Sequence, residues 1–280
     1  MHVASFASEH YPSALHGLKN GPGQLFMIGQ SSHLLQPAVA IVGTREATPY
    51  GIRTTRALAS AFARAGVSII SGMARGIDAA AHRAALEVGG RTVAVLGTGV
   101  DVPYPAGHRE LHRILGERAL VVSEYGPGVN ARPGTFPRRN RIIAALASVT
   151  IVVEAGHRSG ALITAEHASI LERKVAAVPG PIDSSQSEGT NQLIRDGAHM
   201  IASIADALSL VNIALPEERE PAQLSDEEAR VWKALASGPQ TPDALAVRCH
   251  LTTRQCLGFI TSLEVQGLVE SLVSGEVRRR

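Results

Sequence analysis

Lysine is nearly missing from this chain. Of 27 Lys and Arg residues in 280, only Lys19, Lys174 and Lys233 are lysine. The 25 acidic residues bring the formal net charge to +2, which excludes a histone-like protein that holds polyanions by bulk charge. Cysteine is scarce as well. Cys249 and Cys256 are too few for a disulfide framework, and their spacing matches no zinc module. A reducing cytoplasm is the expected home. No apolar run is long enough to span a bilayer, and residues 1–30 hold no basic stretch leading into an apolar one. The phosphate-loop pattern Gly-x-x-x-x-Gly-Lys-Ser/Thr is absent, and so is the dinucleotide fingerprint Gly-x-Gly-x-x-Gly at the strand ends. The eleven histidines are scattered, with His2, His10 and His16 reading as surface residues. No His/Cys/Asp/Glu set has convincing metal spacing, so neither a metal nor another cofactor is expected.

What is present is an α/β pattern. With 45% hydrophobic and 19% charged residues, the chain can bury one substantial domain and a small one. Residues 1–36, punctuated by Tyr11-Pro12 and Gly21-Pro22-Gly23, read as a loop-rich lead-in. From Pro37 short β-branched runs alternate with Ala-rich helical stretches. The runs Val39–Val42, Val67–Ile70, Thr92–Leu96, Leu120–Val122, Val149–Val153 and Val175–Val178 are apolar throughout, as in strands buried on both faces. The alternation predicts a Rossmann-like, doubly wound, mostly parallel sheet over residues 37–212. Residues 213–223, with Pro216 and Pro221, read as a linker. Residues 224–280 carry three helical patterns and a possible hairpin, which suggests a small winged-helix domain. Ser225 with Glu228 forms a capping box, and Thr241-Pro242 a cap followed by proline at the first helical position.

The segment Phe136-Pro137-Arg138-Arg139-Asn140-Arg141-Ile142-Ile143 is the most informative. Arginine forks match phosphate oxygens, and an aromatic face can stack on an unpaired base. A helix start disfavours cations, so three arginines there suggest an anion supplied from outside. The alternative is a solvated patch beside a buried phenylalanine. Gly43-Thr44-Arg45 follows the first strand. It is either a phosphate-approach loop at the carboxyl edge or an ordinary turn with a surface arginine. Ser71 and Gly72 open the next loop. Further on, Asp78 and His82 share a helix face and read as a structural pair, or as a base with its orienter. Gly97-Thr98-Gly99, then Tyr104-Pro105, would widen the groove at the third strand. Ser159 can cap the helix containing Gly160 and Thr164, whose first amides can hold phosphate. Glu154 reads as a carboxylate orienting an arginine, or as a catalytic acid.

Taken in order, IVGTR…YG, SGMARGIDAAAH, GTGVDVPYP, FPRRNRIIAALA, VVEA…SGALITA and VPGPI…SEGTNQLIRDGA resemble the DNA-processing protein A (Smf) family, over about Tyr11 to Ala202. The tail from about Leu224 resembles the winged-helix module of many members. The resemblance implies a homodimeric single-stranded DNA-binding recombination mediator. Such a protein protects incoming DNA in natural transformation and loads RecA recombinase; the family is not known as a metabolic enzyme. By motif, Gly43, Thr44, Arg45, Ser71 and Gly72 would line the phosphate groove. Arg139, Asn140 and Arg141 match the family's Arg-Asn-Arg, Phe136 its aromatic, and Arg138 a variable place. The helical N-terminal domain of many members is expected to be shortened or absent.

Two other function classes stay open. Relatives of the family's sheet cleave nucleotide–sugar bonds, so a nucleotide or nucleotide-sugar phosphate hydrolase using Glu154 or Asp78 is one. A duplex-binding regulator acting through the winged helix is the other, although Arg254 is the sole cation of the presumed recognition helix Thr252–Gln266.

Overall fold

The computed structural model describes residues 2–5, 11–213, 224–272 and 275–279. The chain divides into two compact units, residues 1–214 and 215–280.

The first unit is built on a nine-stranded sheet. Strands β1 (His2–Ser5) and β2 (Gln24–Gly29) come first, so the segment expected to be a loop-rich lead-in contributes two strands, β1 at the sheet edge and β2 next to it. They run antiparallel, β2 pairing Phe26 with Ser123 and Gly29 with Leu120. Alternating burial in β2, where Leu25 and Met27 are inside, is the signature that a reading from proline and glycine passed over. Then follow β3 (Ala38–Val42), α1 (Pro49–Arg64), β4 (Ser68–Ser71), α2 (Ile77–Glu87) and β5 (Thr92–Leu96). Next come α3 (Arg109–Arg118), β6 (Leu120–Ser123), α4 (Thr135–Leu146), β7 (Val149–Val152), α5 (Gly160–Ile170) and β8 (Lys174–Ala177). The unit closes with α6 (Glu188–Arg195), β9 (His199–Met200) and α7 (Ile204–Ser209).

Sheet order is β1-β2-β6-β5-β4-β3-β7-β8-β9, and the strands from β6 to β9 are parallel. The fold expectation is met: a mostly parallel, doubly wound sheet with helices on both faces. Consecutive side chains of a strand point to opposite faces. In β3, Ala38, Ala40 and Val42 pack with Ile142 and Ile143 of α4 and Ala161 and Ala165 of α5. Val39 and Ile41 pack with Leu58 and Phe62 of α1 and Ala81 and Ala84 of α2. Phe62 is fully buried, and truncating it to alanine costs about 3–5 kcal/mol at such sites.

Local sequence sets the helix starts. Thr48 caps α1 by accepting the Gly51 amide at 3.1 Å, and Pro49 fills the first position, where no amide partner is needed. After β3 the chain proceeds to β4 on one side of it, whereas β7 lies on the other. The loops leaving β3 and β7 therefore diverge, and this switch point is where open α/β sheets form a crevice.

The second unit contains α8 (Asp226–Ala234), α9 (Pro242–Arg248), α10 (Thr253–Val265) and the hairpin β10 (Val269–Ser271) and β11 (Val277–Arg279). Both expected caps are present, Ser225 with Glu228 as a capping box and Thr241 ahead of Pro242. Val231, Trp232, Leu245, Ile260, Leu263 and Val277 form its core, with Cys249 and Cys256 buried as free thiols. Of the expected linker, residues 214–223 lie outside the described residues, as do residues 273–274.

Candidate functional site

A cavity of about 460 Å³ opens at the switch point. Three loops wall it: the loop after β3 gives Gly43, Thr44, Arg45 and Glu46, the loop after β4 gives Ala74 and Arg75, and the loop after β7 gives Gly156, His157, Arg158 and Ser159. Phe136, Arg139 and Asn140 of α4 and Gly160 and Thr164 of α5 complete it. Nine of the sequence-predicted site residues thus meet here: Gly43, Thr44, Arg45, Phe136, Arg139, Asn140, Ser159, Gly160 and Thr164. The other four do not. Ser71 is buried and donates its hydroxyl hydrogen to the Ile41 carbonyl at 2.7 Å, and Gly72 borders a neighbouring cavity. Arg138 and Arg141 turn away to Glu124, at 3.4 Å and 2.6 Å.

The arginine cluster of α4 therefore splits by role. Arg139 is 5% exposed, and its Nη1 donates to the carbonyl oxygens of Gly72, at 2.7 Å, and of Val95. Its Nε donates to Asn140 Oδ1 at 3.2 Å. Burial lowers its pKa to about 10, the Asp78 carboxylate opposes that, and Arg45 adds to it. At neutral pH it stays charged and ties the carboxyl ends of β4 and β5 to α4. A Cβ at Gly72 would overlap the Arg139 guanidinium, so glycine leaves that fork room to reach the strand ends. The anion expected from outside to offset three arginines at a helix start is in fact internal. Glu124 serves Arg138 and Arg141, and Asp78 lies in the field of Arg139.

Two further expectations are corrected. Asp78 and His82 share a helix but do not pair. Asp78 Oδ2 accepts the amides of Gly72 at 3.1 Å and Ala74 at 3.3 Å, shaping the loop after β4. His82 Nδ1 meets Thr92 Oγ1 at 2.7 Å; that hydroxyl donates to the Ile69 carbonyl, so the imidazole is the donor. Burial, reinforced by Arg139, pushes the His82 pKa down to about 3. Burial likewise raises the Asp78 pKa, against the pull of Arg139. Glu154, 3% exposed, orients no arginine among the described residues. It accepts the Thr48 amide at 2.9 Å and the Thr48 hydroxyl, and so anchors the start of α1.

What faces solvent in the cavity is a different set of cations. Arg45, Arg75 and Arg158 are exposed, and none makes a hydrogen bond or ion pair among the described residues. The Arg45 guanidinium lies 5.8 Å over the Phe136 ring, a cation–π distance. Ser159 caps α5 by accepting the Ala161 amide at 3.3 Å, and Asn140 Nδ2 holds the Gly160 carbonyl at 3.0 Å. The amino end of α5, with its partial positive charge, is thereby fixed beside the three free forks. Sequence reasoning missed Arg75 and Arg158. The signal for both was an arginine in a loop leaving a strand, the same position that picked out Arg45.

A crevice at the carboxyl edge of an open α/β sheet, lined by guanidinium groups, a helix amino terminus and an aromatic ring, marks a Rossmann-like protein with a cationic site at its switch point. The chain belongs to the DNA recombination-mediator protein A family, whose sequence profile matches residues 2–212, and the DprA winged helix domain profile matches residues 215–275. It is 44% identical over 269 residues to the putative DNA processing protein DprA of Mycobacterium tuberculosis, covering 93% of this chain and 67% of that one. DNA processing protein A of Streptococcus pneumoniae superposes with a TM-score of 0.73 at 41% identity, over 76% of this chain and 75% of that one. DNA processing protein A of Helicobacter pylori, described for its single-stranded DNA binding mode, gives 0.68 at 31% identity, over 75% and 95%. Among the described residues no helix is long and apolar enough to cross a membrane.

Proposed function

We propose that this protein binds single-stranded DNA, without regard to sequence, along the crevice beside Arg45, Arg75 and Arg158. As a homodimer it would protect incoming strands in natural transformation and load RecA recombinase onto them. The observation that carries the reading is the set of three unpaired guanidinium groups on separate loops, beside the amino end of α5 and next to Phe136. Phosphate forks explain affinity without sequence preference, and aromatic rings explain a preference for unpaired bases. The Helicobacter pylori relative supports the same ligand.

The hydrolase alternative needs Glu154 or Asp78 as its carboxylate. Both are buried, one committed to Thr48 and the other to two backbone amides. The duplex alternative draws on the winged helix, where Arg278 pairs with Glu270 at 2.5 Å and Arg279 lies 3.6 Å over Trp232. Arg254 is left to represent α10 on a duplex.

Fluorescence anisotropy of a labelled thymidine oligonucleotide against the equivalent duplex, across a salt series, tests the reading. Three forks releasing counterions predict a log–log slope of roughly −2, at about −0.7 per phosphate. A slope near zero, or equal affinity for duplex, would refute it. Removing residues 215–280 should leave the single-strand affinity in place; loss of all binding would hand the function to the winged helix. Growth of RecA filaments on a strand already coated with single-strand-binding protein tests the loading step, and sedimentation tests the dimer.

A further inference from the structure

A second cavity, of about 540 Å³, shares Arg45, Ala74, Arg75, Phe136 and Arg139 with the first. Its remaining wall includes Arg83, Tyr104, Pro105 and His108. Phe136 is the common aromatic, and protein groups already engage it. Arg45 lies over its ring, and the Tyr104 ring stands 4.7 Å away at 35°. A Cβ on Gly97 would come within 2.8 Å of Phe136 Cδ1, so the backbone of the loop after β5 abuts the ring edge.

Tyr104 is differently placed. It is 38% exposed, it borders the second cavity and not the first, and its hydroxyl makes no hydrogen bond among the described residues. An unanchored, part-exposed tyrosine held against another ring offers the flat apolar surface a nucleobase needs. Arg75 and Arg83, both exposed and unpaired among the described residues, stand at the same cavity. His108 donates Nδ1–H to the Met73 carbonyl at 2.9 Å, which fixes the Tyr104 loop against the loop after β4.

We propose that the second cavity is a nucleotide subsite, in which an unpaired base lies on Tyr104 and its flanking phosphates meet Arg75 and Arg83. Phe136 then backs the platform rather than serving as it, and the strand occupies two neighbouring cavities on either hand of Phe136. This rests on the single-strand reading above.

The test is a cycle of protein and ligand variants, read by anisotropy. Wild type, Tyr104→Phe and Tyr104→Leu are titrated with a short thymidine strand and with a strand of the same phosphates whose bases are replaced by abasic sugars. On the thymidine strand Tyr104→Leu should weaken binding by about 5-fold or more, while Tyr104→Phe stays within about 2-fold. On the abasic strand the three proteins should bind alike. The proposal is overturned if Tyr104→Leu matches wild type on the thymidine strand, or if it loses as much on the abasic strand as on the intact one. Wild-type protein that binds neither strand would overturn the parent reading too, so the two failures are told apart.

Discussion

Replacing Arg139 by alanine removes a guanidinium that holds two strand ends, and replacing Arg45 removes one that faces solvent. The two variants should therefore fail in different ways. Arg139 donates to the carbonyls of Gly72 and Val95 and lies in the field of the buried Asp78. Hydrogen bonds from a charged group contribute about 1.5–3 kcal/mol each, and leaving a buried partner charge uncompensated costs about 3–5 kcal/mol in all. For a unit of residues 1–214, each kcal/mol moves the midpoint by about 2–4 °C, so Arg139→Ala should melt about 6–20 °C lower. Arg45→Ala should change stability by less than about 0.5 kcal/mol and flatten the salt slope of DNA binding by about 0.7. Differential scanning fluorimetry beside anisotropy separates the two. If Arg139→Ala melts with wild type yet binds poorly, Arg139 is a phosphate fork and the reasoning from its burial is wrong.

Acid should destabilise the protein through His82. Its pKa is depressed from 6.5 to about 3, so the neutral form contributes stability that is full above pH 6.5 and lost as pH falls toward 3. At pH 5 the loss is about 2 kcal/mol, and melting curves at pH 7 and pH 5 should show a smaller drop in His82→Gln than in wild type. Glu124→Gln leaves the buried Arg141 without its counter-charge and should cost about 3–5 kcal/mol; a urea midpoint equal to wild type would contradict the internal-anion account. Gly72→Ala forces Cβ onto Arg139 and should cost about 1–3 kcal/mol, read in the same urea titration; a midpoint equal to wild type would show that the Arg139 fork moves aside freely.

Runs such as Val149 to Val153 are apolar on both sides, and that pattern needs helices on both faces, so the doubly wound fold was legible. The caps at Ser225 and Thr241 were legible for a similar reason, because the capping residue and its partner lie within one turn. β1 and β2 were not, since β1 pairs with β2 and the other partner of β2, β6, lies far along the chain. At the site, Gly43-Thr44-Arg45 and Ser159-Gly160 could be placed from sequence because a strand end and a helix start each fix a position on the carboxyl edge. Sequence thus determined which residue types reach that edge: arginines in the loops, an aromatic at the start of α4 and a capped α5. Tertiary structure alone decided which arginines are free. Burial and partner choice depend on residues distant in sequence, Glu124 for Arg141 and the carbonyls of Gly72 and Val95 for Arg139. Three clustered cations of α4 are thereby given protein partners, and the exposed guanidinium groups of the cavity are those of Arg45, Arg75 and Arg158, which meet because their strands lie side by side at the switch point.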